Sequence, residues 1–133
     1  MTDAADSSIL ASYRDLLDGP LTGLLTTVGP DGPHAAPVWF VFDGECVLVS
    51  TRSATQKHRN IARDPRVSFT VIDPTNTMRY VEFRGLAEAL DDPTFDTRER
   101  VVRKHGFETG AGFDPPDVKR VSIRVVPRTI IKH

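Results

Sequence analysis

An all-β barrel with few helices is the fold class this sequence predicts, on three observations. Six segments carry strand character, either alternating apolar and polar residues or apolar on both faces. Turn signals separate them, above all Gly29-Pro-Asp-Gly32 and Asp43-Gly44. Helical spacing is confined to the start of the chain, one strand-to-strand corner and one late connection, which fits a closed antiparallel barrel and not a layered α/β fold.

Ile9, Leu10, Tyr13, Leu16 and Leu17 have helical spacing, so a helix is expected over Ser8 to Leu17, with Ser7 or Ser8 as cap and Gly19-Pro20 as its end. Residues 1–7 read as a frayed, polar start. Leu21 to Val28 reads as the first strand. The second is long, Pro33 to Asp43, with His34, Ala36, Val38, Phe40 and Phe42 on one face and Ala35, Pro37, Trp39 and Val41 on the other. Apolar character on both faces means that neither is freely solvated. One face can line a core, and a second subunit or a flat aromatic ligand would cover the other. Pro37 marks an edge or bulge. Asp43-Gly44 turns the chain back into Cys46 to Ser50.

The corner between Val47 and Val71 carries most of the candidate chemistry. Thr55 can cap a short basic helix that Asp64-Pro65 stops, because a residue preceding proline is pushed out of the α region. Ser50, Thr51 and Thr55 bring hydroxyls, Gln56 an amide and Lys57 an ammonium to one strand-to-helix corner, where the first N–H groups of a helix are also free. Such a set suits a phosphate ester. Lys57 and Asn60 share a helix face.

Arg66 to Ile72 then alternates Val67, Phe69 and Val71 inward, and Met78 to Leu90 is a further long strand with a bend at Gly85. Thr94 to His105 reads as a charged helix contacting the body through Phe95, Val101 and Val102. Residues 106–117, rich in Gly and Pro, read as a connector, and a flap over a pocket is the alternative. Val118 to Val126 is the last strand, interrupted at Pro127, with Thr129 to Ile131 as a short tail.

At 133 residues the chain has the length of a single domain. Seventeen basic against 18 acidic residues give a formal charge of -1, which argues against a nucleic-acid partner. No apolar run approaches the ~18 residues of a membrane span and no signal peptide is visible, so a cytoplasmic chain away from membranes is expected. The single cysteine, Cys46, excludes an internal disulfide and reads as a buried structural thiol. His34, His58, His105 and His133 show no metal-ligand spacing, and no metal site is expected.

Four stretches in order, Pro33-His-Ala-Ala-Pro-Val-Trp-Phe40, Leu48-Val-Ser-Thr51, Lys57-His-Arg-Asn-Ile-Ala-Arg-Asp-Pro-Arg-Val67 and Tyr80-Val-Glu-Phe-Arg-Gly85, resemble the pyridoxamine-phosphate-oxidase-like split-barrel superfamily. The likeness is greatest to the actinobacterial flavin/deazaflavin oxidoreductases that use coenzyme F420, and it runs from about Leu21 to Val126. The resemblance implies a six-stranded antiparallel split β-barrel of Greek-key type that works as a homodimer, with the cofactor in a groove at the dimer interface. It implies that Ser50 and Thr51 bond the ribityl chain or phosphate, that Gln56 and Lys57 hold the phosphate with Thr55 and Asn60 in support, and that Pro37, Val38, Trp39 and Phe40 flank the tricyclic ring. Arg52, Arg59 or Lys132 would line the exit of the cofactor's acidic tail, and Met78 and Tyr80 would arrive from the facing subunit. Two positions depart from the family's habit: relatives often carry a basic residue where this chain has Thr55, and an aromatic one where it has Met78.

The resemblance further implies a reductase that passes hydride from reduced F420 to an electron-poor double bond in a small molecule. The cofactor carries that chemistry, which accounts for the lack of a nucleophile or catalytic dyad in the sequence. An FMN-dependent oxidase or flavin reductase is the nearest alternative. A non-catalytic carrier of a flavin or haem-type ligand is the alternative from another class.

Overall fold

A computed structural model describes residues 4–132. Helices α1 (Ala4–Ser12) and α2 (Arg14–Asp18) open it, α3 (Gln56–Arg63) and α4 (Asp96–Lys104) lie between strands, and seven strands make the body. The strands are β1 (Gly23–Gly29), β2 (Gly32–Val38), β3 (Val41–Phe42), β4 (Val47–Arg52), β5 (Arg66–Ile72), β6 (Tyr80–Asp91) and β7 (Arg120–Lys132). The first helix starts at Ala4, ahead of Ser8, and is broken from α2 at Tyr13. Residues 1–3, part of the stretch expected to be frayed, lie outside the described residues.

All strands belong to one antiparallel sheet in the order β2-β1-β5-β6-β7-β4-β3. Its two edge strands are consecutive in the chain. Three peptide links join Val38 to Val41, so the edges stand within about 11 Å of each other, and the sheet must curl on itself to let them. The barrel is therefore split along a seam bridged by Trp39 and Phe40. This corrects the strand count from six to seven. The expected single strand over 33–43 pairs with β1 up to Val38 and with β4 from Val41, on opposite sides of that seam. Side-chain alternation runs through the break: Val38, Phe40 and Phe42 are buried, whereas Pro33, Ala35 and Pro37 face outward.

The interior is filled by Leu25, Phe40, Val49, Phe69, Val71, Phe83, Ile123 and Val125, with Leu16 and Leu17 of α2 packed into the same cluster. Phe40 meets Phe69 edge-on at 4.8 Å, the arrangement that sets a ring's positive edge against its neighbour's negative face. β5 alternates as its sequence dictates, with Val67, Phe69 and Val71 inward. β4 is buried on both faces because α4 packs across it.

The bend expected at Gly85 is a register shift against β7 between Arg84 and Gly85. A Cβ at Gly85 would stand 2.0 Å from the Val126 carbonyl oxygen, so only glycine lets the strands approach this closely. Pro127 sits opposite the shift, where the ladder needs no N–H from it, and β7 continues to Lys132 without the interruption expected there. No helix of the described residues is long and apolar enough to cross a membrane.

Candidate functional site

Where β4 leaves the sheet and enters α3, Ala54 takes φ 65°, a left-handed conformation that non-glycine residues avoid. It is held there from both sides. Its N–H donates to His58 Nδ1 at 3.0 Å, and Arg59 Nη1 donates to its carbonyl. Backbone strain of this kind persists only where the surroundings over-determine it, and it collects at functional corners. Thr55 then occupies the N-cap position, but its hydroxyl makes no capping bond and pairs with Thr51 Oγ1 at 3.1 Å instead. The positive end of α3 is left without a capping side chain.

This corner forms one wall of a cavity of about 440 Å³ lined by Pro37, Val38, Trp39, Ser50, Thr51, Arg52, Thr55, Lys57, Arg98, Val101, Val102, Phe113 and Arg120. Eight of the expected site residues are thus brought together: Pro37, Val38, Trp39, Ser50, Thr51, Arg52, Thr55 and Lys57. The lining holds four cationic side chains and no carboxylate.

Lys57 is half-buried and makes no ion pair or hydrogen bond within the described residues. Burial lowers its pKa first and the nearby Arg120 charge second, the pattern of a cation whose counter-charge is missing. Among its cationic neighbours, Arg120, Arg52 and Arg98 all converge on Asp114. Arg120 grips it in a fork, Nε to Oδ2 at 2.8 Å and Nη2 to Oδ1 at 2.7 Å. The three guanidinium groups, Arg120 foremost, hold the Asp114 carboxyl down at about 2 although it is almost wholly buried.

Five of the expected residues lie off the cavity lining. Phe40 is fully buried in the barrel interior, where its carbonyl and its ring both receive the Lys104 ammonium. Gln56 spends its amide on neighbours, donating to Asn60 Oδ1 at 2.6 Å and accepting from Arg59 at 2.9 Å. Asn60, buried, donates onward to Thr27 Oγ1 at 2.9 Å and so ties α3 to β1 behind the corner. Met78, largely exposed in the turn before β6, and Tyr80, the first residue of β6, do not line the cavity.

Sequence reasoning missed Arg98, Val101, Val102, Phe113 and Arg120. Val101 and Val102 were read as packing contacts, and they are buried while also facing the cavity. Phe113 comes from a one-turn 3-10 helix (Ala111–Phe113) in the connector, which Asp114 anchors to the arginines and Glu99 anchors through the Thr109 hydroxyl and the Gly110 N–H. That connector is a fastened wall of the cavity. Trp39, on the same side, stacks on His105 with ring centroids 3.9 Å apart. Lys104 braces the seam by donating to the carbonyls of Leu17 and Phe40 at 2.8 and 3.1 Å, and burial pulls its pKa down to about 8.

A 440 Å³ concave site with an apolar side and a cluster of cations suits a flat molecule with an anionic end. The comparisons with known proteins agree with that shape. The family model described as pyridoxamine 5'-phosphate oxidase matches residues 9–133. A solved structure described as an F420 reductase is 38% identical, covers 91% of this chain and 97% of its own length, and superposes with a TM-score of 0.80. A conserved hypothetical protein from Mycobacterium tuberculosis is 33% identical over 92% of this chain and 82% of its own, with a TM-score of 0.75. General Stress Protein 26 from Bacillus anthracis, 23% identical over 93% and 92% with a TM-score of 0.70, shows the fold alone. No curated protein sequence matches the chain.

Proposed function

This chain belongs to the pyridoxamine 5'-phosphate oxidase family, and on that premise we propose that it is a reductase dependent on the deazaflavin coenzyme F420. One observation carries the reading: Lys57 stands half-buried in the cavity with hydroxyls beside it and no carboxylate to neutralise it. An unpaired, partly desolvated ammonium is unfavourable in the empty protein and becomes favourable once an anion arrives. The 38% identity to a structure described as an F420 reductase favours the deazaflavin over FMN.

Lys57, Ser50, Thr51 and Thr55 hold the phosphate end, and the uncapped start of α3 adds its dipole. Pro37, Val38 and Trp39 flank the ring, and Val101 and Val102 keep water from its side of the cavity. Gln56 and Asn60 act from behind, fixing α3 against β1. When bound, the cofactor supplies a hydride donor for an electron-poor double bond of a small molecule. The protein's share is placement, since holding two reactants in register is worth several kcal/mol of barrier on its own, on the order of 7–11 in favourable cases.

The site is completed by a second copy of the chain. The outer face of β1 and β2 leaves the apolar side chains of Leu24, Pro33, Ala35 and Pro37 uncovered, a patch that a second copy would bury. In the dimer, Met78 and Tyr80 reach the cavity of the facing subunit.

Fluorescence titration of the purified protein with F420 and with FMN tests the reading. Binding of F420 with transfer to an acceptor above the free-cofactor rate is expected, in a protein that sediments as a dimer. FMN binding with none for the deazaflavin replaces the cofactor. A loaded protein that never outpaces free cofactor makes it a carrier.

A further inference from the structure

We infer that Asp114 is a positioning residue for the anionic end of the ligand, acting through the guanidinium groups of Arg120 and Arg52. The inference deepens the functional reading above and rests on it. Asp114 is joined to three arginines from three elements: Arg52 at the end of β4, Arg98 in α4 and Arg120 at the start of β7. All three line the cavity and Asp114 does not. The carboxylate therefore sits behind the cations and turns them toward the space that the ligand takes.

The hydrogen bonds show what each guanidinium has left. Arg120 gives Nε and Nη2 to Asp114, so that only Nη1 is turned elsewhere, 3.4 Å from Ser50 Oγ on the cavity wall. Arg52 gives Nε to Asp114 and Nη2 to the Phe113 carbonyl at 2.6 Å, and its Nη1 is bonded to neither. Arg98 gives Nη1 to Asp114 and lays its guanidinium over the Phe95 ring, 3.9 Å from the centroid. A planar fork bonded along one edge cannot swing, so its remaining donors point in a fixed direction. Next to them Lys57 is a flexible point charge. The anion site is thus a lysine for charge and two aimed forks for geometry.

Two physical pictures give opposite signs for the loss of Asp114. By charge alone, Asp114→Asn makes an anion-binding cavity more positive and should tighten it. By positioning, the same change frees Arg120 and Arg52 to wander or pair with solvent, and binding weakens.

The wild-type protein and Asp114→Asn are titrated by cofactor fluorescence with F420 and FMN. The same titrations use their phosphate-free counterparts, the ribityl deazaflavin and riboflavin. The expected result is a loss of roughly tenfold or more for the phosphate-bearing cofactor that the wild type holds, the range for a charge-assisted hydrogen bond, with a distinctly smaller loss for its phosphate-free counterpart. Unchanged or tighter binding overturns the inference. So does an equal loss for both members of the pair, which means that Asp114 only holds the fold. Should Asp114→Asn fail to fold, Arg120→Lys decides, because it keeps the charge and removes the fork. It should show the same phosphate-selective loss, and none overturns the inference. A wild-type protein that binds none of the four ligands removes the functional reading itself, an outcome distinct from the others.

Discussion

Trp39 lies flat against His105, ring centroids 3.9 Å apart and planes inclined by 7°. The contact joins the seam of the barrel to the end of α4, and it sets the indole that borders the cavity. Phe107 adds a second ring at 5.9 Å from Trp39. His105 Nε2 is buried there with no hydrogen-bond partner among the described residues. Burial, and then the charge of Lys104, lowers the His105 pKa below its ordinary 6.5.

That depression fixes a sign. Between the folded pKa and 6.5 the unfolded chain binds the proton that the folded imidazole refuses, so stability rises with pH across that window. His105 contributes no penalty above the window and a full one below it. His105→Phe keeps a stacked ring and removes the titration. Thermal unfolding of the two proteins between pH 7.5 and 5 should show a shallower decline for the variant, and parallel declines would contradict the assignment.

Lys57→Ala should act in opposite directions on stability and binding. Removing an unpaired, half-buried cation should leave the empty protein as stable as before or slightly more so. Cofactor affinity should fall by about 1.5–3 kcal/mol, the worth of a charge-assisted bond. Chemical denaturation and titration of one preparation read both effects. An unchanged dissociation constant would remove Lys57 from the site.

Thr27→Val tests the brace behind the corner. The substitution preserves shape and deletes the acceptor of the Asn60 Nδ2 bond in a buried setting. Leaving that donor unsatisfied should cost about 1–3 kcal/mol in urea unfolding. A loss below about 0.5 kcal/mol would mean that Asn60 finds another partner.

Gly85→Ala should be among the most damaging small changes in the chain, about 3 kcal/mol or more, because its Cβ would sit 2.0 Å from a backbone oxygen that cannot move aside. Gly112→Ala, with nothing within 4 Å, is the control and should be nearly neutral. Equal thermal stability of the two variants would contradict the account of the bulge.

Much of this was legible in the sequence where the signal is local. The alternation of Val67, Phe69 and Val71 places β5, and Asp64-Pro65 places the end of α3, whereas Thr55 marks the start of that helix by position only, since its hydroxyl turns to Thr51 and not to the helix. The hydroxyls and the lysine of the corner follow from the same short stretch. The break at Trp39 and Phe40 was not legible. A run apolar on both faces carries no mark of where pairing changes partner. The arginine side of the cavity was hidden for another reason: Asp114 meets Arg52 across 62 positions of sequence and Arg98 across 16, and no spacing rule links residues so far apart. Phe40 shows the converse. A likeness in sequence places it beside the ring, yet alternation about the seam turns its side chain into the core.

The barrel's two edge strands, β2 and β3, are joined only through two linking residues, and one of these, Trp39, also walls the cavity. Any fluctuation that parts the edges must therefore carry the indole with it and deform the ligand's berth. An occupant that binds only the closed form penalises such openings by mass action. Amide hydrogens flanking the split should exchange more slowly in the loaded protein, so that occupancy is felt at the barrel's weakest line and not in the pocket alone.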